Sequence, residues 1–218
     1  MATAYSIVRT EIQDIVQDSV FASAGSMFKY LLIWTNRVQR NVHKSIDFRH
    51  KLSINTKTVS FTGSSPVSMP TDFFKASNRF LKARQNAAPD EVIPIMGLDR
   101  LLAIDHGQND TTSSAFPDAV AIEGGNMYST PLFTGTVDIE GYYTIPTNVS
   151  ADGDNLDFPD DDDATELIIA GVARRCFAHL KDPEMANYYT TEFVRLLELL
   201  RLHTLQSDSE LILKAPQF

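Results

Sequence analysis

The sequence predicts an α+β fold in which a four-helix bundle, formed by N- and C-terminal helix pairs, is interrupted by a β-rich insertion and followed by a C-terminal arm. Near both ends of the chain, apolar residues recur every three or four positions, which is the period of an amphipathic helix. Between the ends the period changes to two, as is typical of strands. The 218 residues suffice to bury a core. No apolar run is long enough to predict a transmembrane helix.

Two helices are predicted over residues 1–46. The second follows the sequence "ASAG" and has Ser26 as its expected N-cap. Arg37, Arg40 and Lys44 give its last turns a positive charge, which is favourable at a helix C-terminus. The expected buried stripes of the two helices are Val8, Ile12, Ile15 and Val16, and Met27, Leu31, Trp34, Val38 and Val42.

A β-rich insertion is predicted over residues 47–150, because apolar and polar residues alternate there. A first strand is expected at residues 48–54 ("FRHKLSI") and a second one around Val59 and Phe61. The stretch "LDRLLAIDH" predicts a short helix. The glycine pair in "EGGN" predicts a tight turn between two strands of a meander.

The second helix pair is predicted over residues 151–206. The acidic loop "DGDNLDFPDDDD" precedes it and is expected to be solvated, because its glycine and glutamate positions do not fit an EF-hand. Asp182 and Pro183 predict the start of the last helix, as its N-cap and its first helical residue. Residues 207–218 are expected to form the arm. The two buried stripes are Leu167, Ile168, Val172, Cys176 and Leu180, and Tyr189, Phe193, Leu196, Leu197 and Leu200.

Composition argues against several functional classes. With 19 basic and 28 acidic residues the net charge is -9, which disfavours a protein that grips nucleic acid over a broad surface. The single cysteine, Cys176, allows no intrachain disulfide and no cysteine-rich zinc site. The histidines lie too far apart for a metal motif, and no phosphate-binding glycine loop is present. We therefore expect no cofactor and no metal.

A non-enzymatic protein is predicted. The alternative is a small-molecule enzyme with its site in the β-rich insertion, for which the nearest candidate groups are Asp105, His106 and Asp110 in one loop. No strand-turn-helix elbow presents a nucleophile beside a base and an orienting acid.

Two features predict contacts beyond the helix core. Arg174 and Arg175 lie in the middle of a helix beside its buried stripe, where they either extend to solvent or pair with acids of a neighbouring subunit. The tail is briefly apolar at Leu211, Ile212 and Leu213. A hydrophobic segment outside the bundle covers either its own domain or a partner, and both alternatives stay open.

Three stretches resemble the head-to-tail adaptor (connector) proteins of tailed bacteriophages, most closely those of the short-tailed phages. They are residues 69–73 ("MPTDF"), residues 121–131 ("AIEGGNMYSTP") and residues 142–189, which run from "YYTIPTNVSADGD" to "DPEMANYY". With the order of the elements, the resemblance extends over residues 27–205.

The resemblance implies a structural virion protein in the neck between capsid and tail. Such a protein forms a homo-oligomeric ring, usually of twelve copies, that docks under the portal protein and connects it to tail or nozzle proteins. DNA passes through the channel without sequence-specific binding, no membrane is involved, and synthesis takes place in the host cytoplasm. A tail-completion or stopper protein on the same axis is the alternative. The resemblance also assigns a portal-binding arm to Leu211, Ile212, Leu213, Pro216 and Phe218.

Overall fold

The structure is a computed structural model that describes residues 4–22, 25–63, 65–77, 80–86, 88–105, 116–158 and 162–213. These residues form five α-helices and three antiparallel sheets, so the predicted α+β class is confirmed. The helices are α1 (Tyr5–Val16), α2 (Phe28–Ser45), α3 (Leu98–Asp105), α4 (Asp162–His179) and α5 (Pro183–Leu213). The strands are β1 (Leu52–Ser53), β2 (Lys57–Thr62), β3 (Val67–Ser68), β4 (Phe73–Ala76), β5 (Lys82–Gln85), β6 (Ala88–Ile93), β7 (Ala119–Glu123), β8 (Asn126–Thr130), β9 (Thr134–Glu140) and β10 (Tyr142–Thr144).

The chain divides into two compact units. The helical unit consists of Met1–His50 and Pro146–Phe218, and the β unit consists of Lys51–Ile145. The helical unit contains α1, α2, α4 and α5, whereas the β unit contains α3 and the strands. None of the helices in the described parts of the chain has a stretch apolar and long enough to span a bilayer.

Helix α4 is the centre of the helical unit, because α1, α2 and α5 each pack against it. At Gly171 the packing is closest. A Cβ atom added there would lie 2.5 Å from Val38 Cγ1 of α2 and 2.9 Å from Phe193 Cε2 of α5. Only a glycine allows both neighbours to approach the α4 backbone at this point. The four helices share one core, and the four-helix bundle remains a prediction about their finer arrangement.

Of the two N-caps predicted for α5 and α2, the first is confirmed and the second is wrong. Asp182 caps α5 by accepting a hydrogen bond from the Met185 backbone N–H at 3.1 Å, as predicted. The predicted cap of α2 is wrong, because Met27 occupies the N-cap position and makes no side-chain bond. The Phe28 N–H donates to the Gly25 carbonyl instead, at 3.3 Å, so a backbone turn closes this end.

Three small sheets form the β unit, with strand orders β2-β9-β5-β6, β1-β10-β4 and β3-β8-β7. The strand predicted around Val59 and Phe61 is confirmed as β2, and both side chains are buried. The strand predicted over residues 48–54 is wrong beyond the two residues of β1. A 3-10 turn, Arg49–Lys51, interrupts it, and Phe48 is buried in the core of the helical unit. The alternating pattern therefore crosses the boundary between two cores, which a local period cannot reveal.

Turns with glycine in left-handed conformations connect the strands. Gly124 and Gly125, with φ of 60° and 81°, join β7 to β8, which confirms the predicted turn. Gly141 lies between β9 and β10 with φ of 76°, and a Cβ there would approach the Phe80 carbonyl oxygen to 1.9 Å. Beyond this turn, Tyr142 is fully buried and donates a hydrogen bond to the Asp72 carboxylate at 3.1 Å.

Candidate functional site

A row of polar side chains on α2 binds the segment between β10 and α4, which the structure describes over residues 145–158. Asn36 and Gln39 are three residues apart on the same face of the helix. Asn36 forms two bonds with the backbone of Val149, since its Nδ2 donates to the carbonyl and its Oδ1 accepts from the N–H, both at 2.8 Å. Gln39 donates from Nε2 to the Thr147 carbonyl at 2.6 Å and accepts from the Asp157 N–H at 3.0 Å.

His43 is the third member of this row, four residues after Gln39. Its Nε2 lies 2.7 Å from the Asp157 carbonyl oxygen, so this nitrogen carries the proton. The ring stacks on Phe158 with a centroid distance of 4.9 Å and is buried. We name Asn36, Gln39 and His43 the α2 clamp. Gln39 is 0% exposed, and because an unpaired buried polar group costs about 1–3 kcal/mol, the clamp fixes one position of the segment.

Helix α1 binds the same segment from another side. The first N–H groups of α1 have no side-chain cap, and backbone carbonyls of the segment accept their hydrogen bonds. Tyr5 N–H donates to the Asp154 carbonyl at 2.8 Å, and Ser6 N–H donates to the Asp152 carbonyl at 3.1 Å. The Arg9 guanidinium forms an ion pair with the Asp152 carboxylate.

The acidic loop was predicted to be solvated, and this is only partly correct. Asp152 is exposed, but Leu156 and Phe158 of the same loop are buried in the helical core. Asp154 folds back on the loop, where its carboxylate accepts hydrogen bonds from the Ser150 hydroxyl and backbone and from the Ala151 N–H. These bonds, the Ser150 hydroxyl first, lower the pKa of Asp154. The Asp154 carboxylate therefore stabilises the conformation of the loop.

The described residues offer no cluster of three His, Cys, Asp or Glu side chains that is placed to hold a metal ion. Cys176 is buried in α4, and burial raises the pKa of its thiol to about 12. Of the groups proposed for an enzyme site, Asp105 is the last residue of α3, while His106 and Asp110 lie outside the described residues.

Both arginines of α4 are half-buried. The Arg174 guanidinium carbon lies 4.3 Å from the centre of the Phe193 ring on α5, a cation–π contact within the chain. Burial, and then the charge of Arg175, lowers the pKa of Arg174. The Nε atom of Arg175 is buried without a hydrogen-bond partner in the described structure. Contacts of Arg174 and Arg175 with a neighbouring subunit remain a prediction.

The C-terminal end of α5 extends past the N-terminal end of α4, because α5 is the longer helix. The two helices are antiparallel neighbours, and near their turn the rings of Phe177 and Tyr189 stack at 5.5 Å. At the far end, Asp163 Oδ2 of the first α4 turn lies 3.1 Å from His203 Nδ1. Residues 204–213 therefore continue about 15 Å beyond the paired region, at 1.5 Å per residue.

The predicted arm thus begins as a helix. The sequence predicts that the last helix ends at residue 206, whereas α5 ends at Leu213. Leu211 and Ile212 lie on this final stretch of helix backbone. Pro216 and Phe218 lie outside the described residues. The role of these five residues as a portal-binding arm stays a prediction.

Sequence reasoning missed the α2 clamp. A local signal was present, because Asn36, Gln39 and His43 repeat at spacings of three and four beside the apolar stripe. Polar residues at that spacing are also typical of a solvated helix face. Their partners lie more than a hundred residues away in the sequence, so the pattern alone could not distinguish the two cases.

The comparison with known families identifies the class of protein. The chain is a bacteriophage adaptor protein and, with that, a component of the virion. Residues 2–212 match the family model described as SU10 adaptor protein, and the chain belongs to this family. The match confirms the resemblance that the sequence motifs indicated. No match to a curated protein was found.

Proposed function

We propose that the protein forms a homo-oligomeric ring that docks under the portal protein and connects it to tail or nozzle proteins. The family match over residues 2–212 carries this proposal. The ring, of twelve copies, surrounds the DNA channel in the neck of the virion. Its role is structural and non-enzymatic, and the chain is made in the host cytoplasm before assembly.

The construction of the helical unit supports such a role. Helix α1 is joined to the loop by backbone hydrogen bonds and α2 by the side chains of the α2 clamp, and the core is continuous through α4 and α5. A unit held by buried, paired polar groups keeps one shape, because each displaced group would lose its partner. We propose that it acts as a rigid spacer between portal and tail.

The free end of α5 supports the assignment of portal binding to the arm. The helix places residues 204–213 beyond α4, and Leu211, Ile212 and Leu213 give this end an apolar character. An amphipathic helix or extended apolar segment that leaves its own core binds a groove on a partner. Pro216 and Phe218 complete the proposed arm.

The net charge of -9 suits a conduit for DNA. A surface of the same sign as the phosphates repels the duplex and prevents it from adhering during passage. Sequence-specific binding would require base contacts from side chains that enter a groove, which a channel lining does not need.

Removal of the residues after Ser207 tests the arm. The truncation leaves the α4–α5 pairing intact, because this pairing ends near His203. We expect the affinity for purified portal to fall about 100-fold, or about 2.7 kcal/mol, since the arm supplies the apolar anchors. A full-length variant with serine at Leu211, Ile212 and Leu213 should lose a similar amount, and Ser209→Ala serves as the matched control. Binding to portal with full affinity by the truncated protein would show that the arm lies elsewhere.

The same preparations distinguish the adaptor from a tail-completion or stopper protein. The proposal predicts that the full-length chain is retained by immobilised portal protein. Retention by tail proteins alone, with none by portal, would favour the tail-completion role.

A further inference from the structure

A row of basic side chains runs along the outer face of α2. Ile33, Arg37 and Arg40 follow at spacings of four and three, which places them on one side of the helix. All three are exposed. We name them the basic row. No acidic residue interrupts it, because α2 contains none, although the whole chain has a net charge of -9.

A row of the opposite charge lies on α1. Ile7, Glu11 and Asp14 follow at spacings of four and three and are also exposed. We name them the acidic row. Both rows therefore belong to the helical unit, and each combines an isoleucine with side chains of a single charge sign.

The isoleucines distinguish these rows from ordinary solvated helix faces. Ile7 is 51% exposed and Ile33 is 39% exposed. Apolar side chains surrounded by charged ones are typical of protein interfaces, where the apolar centre is buried and the rim stays polar. Two such rows with opposite charge are complementary to each other.

Interactions within the chain do not account for the charges. In the described residues, no ion pair joins Glu11 or Asp14 to Arg37 or Arg40. The helix dipole favours positive charge at the C-terminal end of α2, but its effect falls off beyond the last turn, which contains His43 and Lys44 and not Arg37 or Arg40. A partner outside the chain would account for the charges of Arg37 and Arg40.

We propose that the acidic row of one copy binds the basic row of the next copy, head to tail. In the proposed contact each copy uses its acidic row on one neighbour and its basic row on the other, so the contact is heterologous and repeats around the ring. A two-fold dimer, in which both rows of one copy meet both rows of its partner, is the alternative that the cross-linking tests. This inference rests on the proposed ring and names the surfaces that build it. Ile7 and Ile33 form the apolar centre of the contact, and the charges set the partner and the register.

A second copy fits the basic row better than DNA does. A duplex held by Arg37 and Arg40 of every copy in a ring would release counterions and bind tightly at low salt, which would retard its passage through a channel. Exposed ion pairs between proteins are worth only about 0–1 kcal/mol each, so they direct assembly and leave it sensitive to salt.

A charge-swap experiment tests the contact. One variant carries Glu11→Lys and Asp14→Lys, and the other carries Arg37→Glu and Arg40→Glu. Each variant alone has two rows of the same sign, and we expect complete loss of rings on purified portal. In an equimolar mixture every contact again joins opposite charges, so rings with alternating variants should form. Native mass spectrometry reads both composition and size.

Cross-linking gives a second readout that does not depend on stable rings. The double variant Ile7→Cys and Ile33→Cys should form a ladder of disulfide-linked multimers under mild oxidation at high protein concentration. Each single variant should give none, whereas a mixture of the two should give a dimer only. Ile7→Cys with Ser45→Cys is the matched control, because Ser45 is exposed on α2 but lies off the basic row.

The outcomes separate this inference from the proposed function. Rings of wild-type protein on portal, together with unchanged rings from each charge variant, would overturn the head-to-tail contact alone. Loss of DNA binding by the Arg37→Glu and Arg40→Glu variant with unchanged rings would assign the basic row to DNA. A cross-linked species that stops at the dimer would also contradict the contact. Absence of wild-type rings on portal would count against the proposed function, and the cross-linking would still decide whether the rows meet.

Discussion

The helical unit and the β unit differ in how they bury their apolar residues. In the helical unit one continuous core joins four helices and the loop between β10 and α4. In the β unit the core is split into a larger cluster among the strands and a smaller one under α3. Among the described residues, large apolar side chains are exposed more often in the β unit, although it is the shorter of the two. They are Ile54, Phe80, Val92, Leu102, Ile104, Phe116, Leu132 and Ile145 there, and Ile7, Ile33, Tyr188, Val194 and Leu202 in the helical unit.

The two units should therefore be destabilised by different kinds of substitution. The helical unit depends on side chains that meet across long sequence separations, as in the α2 clamp and around Gly171. The β unit depends on tight turns between short strands, where the backbone itself leaves no room for a side chain. We therefore expect replacement of a turn glycine to lower the stability of the β unit most, and replacement of a buried polar side chain to lower the stability of the helical unit most.

Gly141→Ala should have the largest effect. The new Cβ would face the Phe80 carbonyl, and the residue would also have to keep a positive φ, so we expect a loss of about 3 kcal/mol of unfolding free energy. Gly124→Ala is the matched control, because it shares the positive φ but has no atom within 4 Å of the new Cβ, and it should lose only about 1 kcal/mol. Urea unfolding with hydrogen exchange measures the loss in each unit. Equal losses for the two variants would contradict the contact with Phe80.

Gln39→Ala should have the next largest effect, and in the other unit. It leaves the Thr147 carbonyl and the Asp157 N–H without their partner, which we expect to cost about 2 kcal/mol. Hydrogen exchange should show faster opening of α1, α2 and α4 amides and no change in β9. Asn41→Ala, at an exposed position on the same helix, is the control and should stay within about 0.5 kcal/mol of the wild type. A result for Gln39→Ala as small as the control would show that the clamp contributes nothing.

Gly171→Ala should cost less, about 1 kcal/mol. The methyl group would crowd Val38 and Phe193, but alanine recovers part of this loss through its higher helix propensity. Gly153→Ala in the same unit has no atom near the new Cβ and should leave the melting temperature nearly unchanged. Stabilisation of the protein by Gly171→Ala would mean that α2 and α5 do not approach α4 as closely as the structure indicates.

Cys176 should report the opening of the helical unit without any new substitution of its own, because it is the only cysteine and is buried in that unit. Burial raises the pKa of its thiol to about 12, so the thiol stays neutral at pH 7–9 and reacts only when the unit opens. Its labelling by a thiol reagent should be unchanged in Gly141→Ala and about 30-fold faster in Gln39→Ala, in proportion to a loss of about 2 kcal/mol. Faster labelling in Gly141→Ala would show that the two units open together.

The sequence predicted those elements that depend on local chemistry. The cap at Asp182, the turn at Gly124 and Gly125, and the strand around Val59 and Phe61 follow from neighbouring residues alone. Each of these signals acts on backbone groups only a few residues away, so distant contacts do not override it.

The elements that were not predicted depend on distant contacts. Phe48 alternates like a strand residue, but its burial is decided by a core assembled from both ends of the chain. Val149 and Leu156 are buried in a loop whose composition is typical of solvent-exposed segments, because α1 and α2 bind its backbone. The α2 clamp and the two charged rows could not be predicted for the same reason. The rows on α1 and α2 are visible as helical spacings, yet their exposure and complementarity are apparent only once both helices are placed in one unit.

The most direct test of the account is electron microscopy of the virion neck at a resolution that separates helices. We predict a ring of this chain around the DNA channel immediately below the portal, with the free end of each α5 against a portal subunit. Density for the chain elsewhere in the particle, or a neck in which another protein occupies the position between portal and tail, would contradict it.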